Sequence, residues 1–204
     1  MIIYVTHSYN YKDEVNKRIY SICGLIVNDD LNMKVIDKEL RKKIQSKKLK
    51  NANSLCETLD SKVLDTDRYA VDIKKYLLVE MSKYAQIVAY STEIKDELSE
   101  EKMVEKYFYE LLCKILLEKN FVEKVTSIKV FNIIERDDLK SKIMKDFSIE
   151  IDFHDRNNSL GLKFSDNFCS IIRKNHSNLD NVKDFYTLIT KNCNNIIDEL
   201  IELL

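Results

Sequence analysis

Three side chains combine a reactive type with a setting that could use it: His7, Glu135 and Asp166. His7 closes an apolar stretch, and an imidazole that titrates near neutrality can act as a general base or a soft-metal ligand. No second histidine has ligand spacing to it, and a hydrogen-bonded, inert histidine beside a strand end is the plainer reading. Glu135 shares a strand face with Phe131 and Ile133, carrying that face to the strand's end, where sheet-based sites tend to lie. Its ordinary alternative is a solvated pair with Arg136. Helical steps of about 100° per residue place Asp166 beside Leu162, Cys169 and Arg173, on the border of the face made by Phe164, Phe168 and Ile172. A border carboxylate can reach a cleft, or it can offset the helix dipole or pair with Arg173. A second kind of chemistry is electrostatic: Lys38, Arg41, Lys42, Lys47, Lys48 and Lys50 lie along one basic stretch that can follow a phosphate backbone. It lacks interleaved aromatics, and a solvated lysine-rich helix face is its more usual explanation. His154 reads as part of a turn and His176 as exposed.

Positioning these residues falls to a hairpin followed by alternating strands and helices. IIYVTHS and RIYSICGLIV are β-branched and aromatic runs that predict two antiparallel strands. Met33, Ile36, Leu40 and Ile44 recur at helical spacing over residues 33–50, and a second helix is predicted over 68–84 with Val71, Leu78 and Met81 inward. AQIVAYSTEI is a third strand. SEEKMVEKYFYELLCKILLEKN is a helix with Ser99 as its N-cap and a stripe of Met103, Tyr107, Leu111 and Ile115. TSIKVFNIIERD predicts a fourth strand and DDLKSKIMKDF a short helix. IEIDF alternates in the manner of a half-buried strand at an edge or with one wet face. LKFSDNFCSIIRKN and residues 184–204 predict two closing helices. The order gives a mixed sheet of about five strands flanked by helices, in one domain over 1–204.

Composition narrows the function classes. The chain has 204 residues, 45% hydrophobic and 33% charged, with no apolar run near the ~20 residues that span a bilayer. No membrane partner and no secretory signal are read, so a cytoplasmic protein is expected. Five cysteines without a C-x-x-C pair argue against a disulfide framework or a zinc site. Two glycines and no proline exclude glycine-rich nucleotide loops, and a net charge of −1 requires any nucleic-acid partner to use a local patch.

YVTHS at the end of the first strand, SICGLIV with Gly24, FNIIERD with Glu135 and Arg136, and SLGLKFSDNFCSIIRK with Gly161 and Asp166 together resemble the domain of unknown function 3800 family over most of the chain. The resemblance implies a ribonuclease H-like fold. Members typically open on a strand ending Asp-Glu-Ser-Gly; here Thr6 and His7 replace the acids and Ser8 is retained. In the closing signature, roughly Gly-x-Gln-x-Ala-Asp, Gly161 and Asp166 match while Lys163 and Ser165 differ. Catalysis by this fold generally uses three or four carboxylates that hold two divalent metals about 4 Å apart. Threonine is a neutral, weak ligand, and imidazole suits softer ions than magnesium. The implied remnant is a metal set of Glu135, Asp166 and Asp137, with Asp138 and Asp152 as neighbours, for magnesium or manganese. The expectation is a module with a degraded metal site that binds nucleic acid or a protein partner, in a mobile-element or phage-defence setting. Its rival is an active metal-dependent nuclease in which Glu135, Asp166 and one of Asp137, Asp138 or Asp152 hold metal and His7 assists proton transfer.

Overall fold

Continuous runs of β-branched and aromatic residues, buried on both faces, make Ile2–Tyr9 (β1) and Ile19–Val27 (β2) strands, paired antiparallel from Ile2 opposite Val27 to Tyr9 opposite Tyr20. The computed structural model describes residues 1–9, 17–28, 33–35, 38–39, 41–42, 75–76, 78–95, 98–118, 125–131, 137–155, 158–178, 183–193 and 195–203. Gln86–Glu93 (β3) extends the meander antiparallel to β2. Ser127–Phe131 (β4) and Glu150–His154 (β5) add parallel strands on the other side of β1. The sheet order is β5-β4-β1-β2-β3-β6, a mixed six-stranded α/β sheet in place of about five strands. β5 is an edge strand with Glu150 and Asp152 exposed, as its alternation predicts.

The sixth strand corrects the expected helix over 184–204. Lys183–Asn192 is helical, but Ile196–Ile201 forms β6, parallel to β3. Ile196, Ile197, Leu200 and Ile201 fit a helical stripe; pairing with β3, more than a hundred residues earlier, decides the outcome, as long-range packing commonly overrides local preference.

Alternation divides the sheet into two faces, each with its own core. Ile3, Val5, Tyr20, Ile22 and Val130 face a helix α1, formed of Glu100–Met103, a π-helical turn Val104–Phe108 and Tyr109–Leu117, together with α2, Asp137–Phe147. Ser99 caps α1, its hydroxyl accepting from the Lys102 N–H at 3.4 Å. Tyr4, Cys23, Leu25 and Ala89 face Leu160–His176 (α3), with Leu78, Met81 and Ile189 of Lys183–Asn192 (α4) in the same cluster. Residues 33–35, 38–39 and 41–42 and residues 78–82 are helical within the two expected early helices; Val71 lies outside the described residues.

Both glycines stand where a helix presses on the sheet. A Cβ on Gly24 would lie 3.0 Å from Ile3 and 3.3 Å from Ile115 of α1. One on Gly161, in the first turn of α3, would lie 2.5 Å from the ring of Tyr4. The two motif glycines therefore set the approach of one helix on each face.

Candidate functional site

α3 begins where Ser159, in extended conformation, accepts from the Leu162 N–H, and it then runs across β1 and β2. Its sheet-facing residues meet the end of β1. The Ser165 hydroxyl donates to the Cys23 carbonyl at 2.9 Å, which commits its proton, so at the 3.0 Å contact with Thr6 Oγ1 the threonine is the donor. Thr6 is 1% exposed and Ser165 fully buried. One turn on, the Cys169 thiol is shared between the Ser21 carbonyl at 3.4 Å and the Thr6 carbonyl at 3.8 Å, and then Arg173 Nε donates to Ser8 Oγ at 2.9 Å. Ser21 Oγ meets Ser91 Oγ at 2.6 Å, extending the polar seam to β3. The place implied for the first metal-binding acid is thus sealed by hydroxyls and a thiol, each engaged with a partner.

Burial pushes the Cys23 thiol up, and it pushes Cys169 well up, with the neighbouring thiol and Asp166 adding to the effect on Cys169. Both stay protonated at neutral pH and are poor nucleophiles and ligands. Because the folded thiols resist ionisation, their contribution is complete below the unfolded thiol's range and is lost as pH rises above it. Stability is therefore expected to fall above about pH 9 by about 1.4 kcal/mol per pH unit for each thiol. Denaturant titrations under reducing conditions across that range measure the slope, and Cys169→Ala should remove one thiol's share; an unchanged slope would contradict the assignment.

The other expected site residues are not gathered here. His7 follows Thr6 on the strand and so points to the opposite face, where its ring packs with Tyr9, Tyr20 and Phe108 at centroid distances of 6.0, 5.6 and 6.2 Å. Strand alternation thus puts the His7 ring on the face of the sheet opposite to the one that Thr6 and α3 share. Glu135 lies outside the described residues. Asp137 is exposed in the first turn of α2, a helix of the α1 layer, with its carbonyl accepting from Ser141. Asp138 is exposed and lines a cavity of about 170 Å³ with Glu105, Phe108 and Lys142. Asp152 is exposed on β5 opposite Lys129. Asp166 is half-buried on α3. Among the described residues no group of three or more His, Cys, Asp or Glu is placed to hold a metal ion. The groups gathered at this seam are mostly neutral hydroxyls and thiols, with Asp166, Arg173 and, in the same cross-strand row, Asp198 as its charged members, and neutral hydroxyls and protonated thiols are poor ligands for magnesium or manganese. Of the basic stretch, Lys38, Arg41 and Lys42 are exposed, Lys42 pairing with Glu39 at 2.9 Å; Lys47, Lys48 and Lys50 lie outside the described residues.

One constellation was not legible in advance. Asp198 of β6 continues the cross-strand row Thr6, Cys23, Ala89 and is only 6% exposed. Its carboxylate meets His176 Nε2 at 2.8 Å and accepts from the Tyr186 hydroxyl at 2.7 Å. Burial and this carboxylate raise the Tyr186 phenol above its ordinary value. His176, the last residue of α3, is therefore half-buried and engaged, not exposed, and His154 ends β5 in place of a turn. No described helix is long and apolar enough to cross a membrane.

No family model and no curated protein matches the chain. A solved structure to which it is similar is a chain of the PCNA:RNase HII complex from Archaeoglobus fulgidus, with 13% sequence identity over 90% of this chain and 76% of that one, at a TM-score of 0.47.

Proposed function

We propose that the chain is a ribonuclease H-like module of the domain of unknown function 3800 type whose metal site has been replaced by a structural polar seam, and that it works by binding and not by cleavage. The observation that carries this reading is the hydrogen-bond chain from Thr6 through Ser165 to the Cys23 carbonyl, both hydroxyls buried. Two-metal chemistry needs anionic oxygens to offset the dehydration of a hard cation. A buried neutral hydroxyl whose proton and partner are already assigned offers neither charge nor an open coordination position. The binding role fits a nucleic-acid or protein partner, in a mobile-element or phage-defence setting, with exposed Lys38 and Arg41 as the described basic contacts.

Calorimetric titration with magnesium and with manganese tests the reading without a choice of substrate. No binding is expected at millimolar metal, together with no cleavage of DNA, RNA or hybrid duplexes. Metal-dependent cleavage abolished by Asp166→Ala would overturn the reading in favour of an active nuclease with a rearranged carboxylate site.

A further inference from the structure

We propose that α4 and β6 form a C-terminal clasp that opens as a unit from the five-stranded core, with His176–Asp198 as its catch. This does not depend on the functional reading above. The apolar anchorage of the clasp is only partly buried: Ile196, Ile197 and Ile201 of β6 and Phe185 and Tyr186 of α4 pack against the two cores without being fully covered, and Ile189 is the buried residue of α4. The strand it covers is different, since β3 is buried from Ile87 to Thr92. The junction also opens to solvent at one end. A cavity of about 290 Å³ lies between the strand ends, lined by Thr92, Glu93 and Lys95 on one side and Leu200, Ile201 and Leu203 on the other.

Polar contacts divide into those within the clasp and those that cross to the core. Tyr186 to Asp198 is internal, joining α4 to β6 at 2.7 Å. Where α4 meets β6, the Ile87 N–H donates to the Asn195 carbonyl at 3.1 Å and the Cys193 thiol to the Ala85 carbonyl at 3.7 Å; of the ion pairs, His176 to Asp198 crosses from the end of α3 at 2.8 Å, and Lys95 to Glu202 crosses from beyond β3 at 2.6 Å. The second crossing pair is exposed on both sides and so contributes little. The first is buried, and Asp198 regains hydration only when the clasp leaves the sheet. Edge elements whose apolar residues are only partly buried open below the global unfolding free energy. Opening moves the Tyr186–Asp198 pair together and uncovers the β3 edge.

Native-state hydrogen exchange on the full chain tests this. In the wild type, amides of Ile196–Ile201 should exchange at least tenfold faster than those of β1 and β2, with a weaker denaturant dependence. His176→Ala, which cuts the His176–Asp198 contact alone, should speed β6 and the β3 amides bonded to it by a further tenfold or more while leaving β1, β2 and β4 unchanged. The proposal is overturned if β6 exchanges with the rate and denaturant dependence of β1 and β2 in the wild type. It is equally overturned if His176→Ala speeds all strands alike or none.

Discussion

Thr6→Asp, the change that restores the acid implied by the family resemblance, is expected to destabilise the fold by about 3–5 kcal/mol at neutral pH, the usual cost of an uncompensated buried charge. In the native chain Thr6 donates and Ser165 accepts, with the serine proton spent on the Cys23 carbonyl. An ionised carboxylate only accepts. To serve it, Ser165 must turn away from Cys23 and leave a buried carbonyl without that donor. Burial disfavours the ionised form, so the new carboxyl's folded pKa lies above the unfolded value. The penalty is then smallest at acid pH and grows as pH rises through the ordinary carboxylate range, around pH 4. Thr6→Val, which keeps the shape and removes one hydrogen bond, should cost only about 0.5–1.5 kcal/mol. Chemical denaturation of the two variants at pH 4 and pH 7 separates the charge from the lost bond. Manganese should not restore the aspartate variant; recovery of wild-type stability on adding it would mean that the seam had kept the room and geometry of a metal site.

Most of the sheet was legible because its determinants are local. β1, β2 and β3 are continuous runs rich in β-branched and aromatic residues, and β5 alternates Ile151 against Glu150 and Asp152, which foretold an edge or one wet face. β6 was not legible, since NIIDELI satisfies a helical stripe and only the β3 edge selects the strand. The π-turn at Val104–Phe108 left no mark either, because it preserves the inward positions of Tyr107 and Phe108.

The site was legible in its parts and not in its assembly. Gly161 and Asp166 are on the helix expected of them, and Thr6 is at the end of the strand expected of it. The period of two that any strand imposes forbids Thr6 and His7 from sharing a face, so their placement on opposite sides of the sheet follows from the sequence once the period is applied to the site as well as to the core. Ser165 and Cys169 carry no sequence signal for their roles, since each reads as a small residue on a helix. His176 and Asp198 were hidden for another reason: their contact requires the strand that local patterning does not reveal.

Gly161→Ala tests how the seam is held. Alanine ordinarily favours a helix over glycine by about 1 kcal/mol, yet the added carbon would lie 2.5 Å from three ring atoms of Tyr4. That ring is buried in β1, with the Lys129 ammonium 5.7 Å from its centroid on β4, so it is not a flexible chain end that can swing clear. Relief requires α3 to lift from the sheet at its first turn. The contacts downstream on that helix, Ser165 to Thr6 and Cys23 and Cys169 to Ser21, depend on the same approach. Overpacking costs about 1–3 kcal/mol, occasionally more, and the coupled loss of the seam places this variant at the upper end, about 3 kcal/mol, after the helical gain. Gly24→Ala, whose nearest neighbours are methyl groups of Ile3 and Ile115 at 3.0 and 3.3 Å, should cost about 1 kcal/mol. The discriminating measurement is a double-mutant cycle with Tyr4→Leu. If the ring is the obstacle, Gly161→Ala becomes at least about 1 kcal/mol less damaging in that background. A cost independent of Tyr4 would place the requirement for glycine in the helix backbone and detach it from the seam.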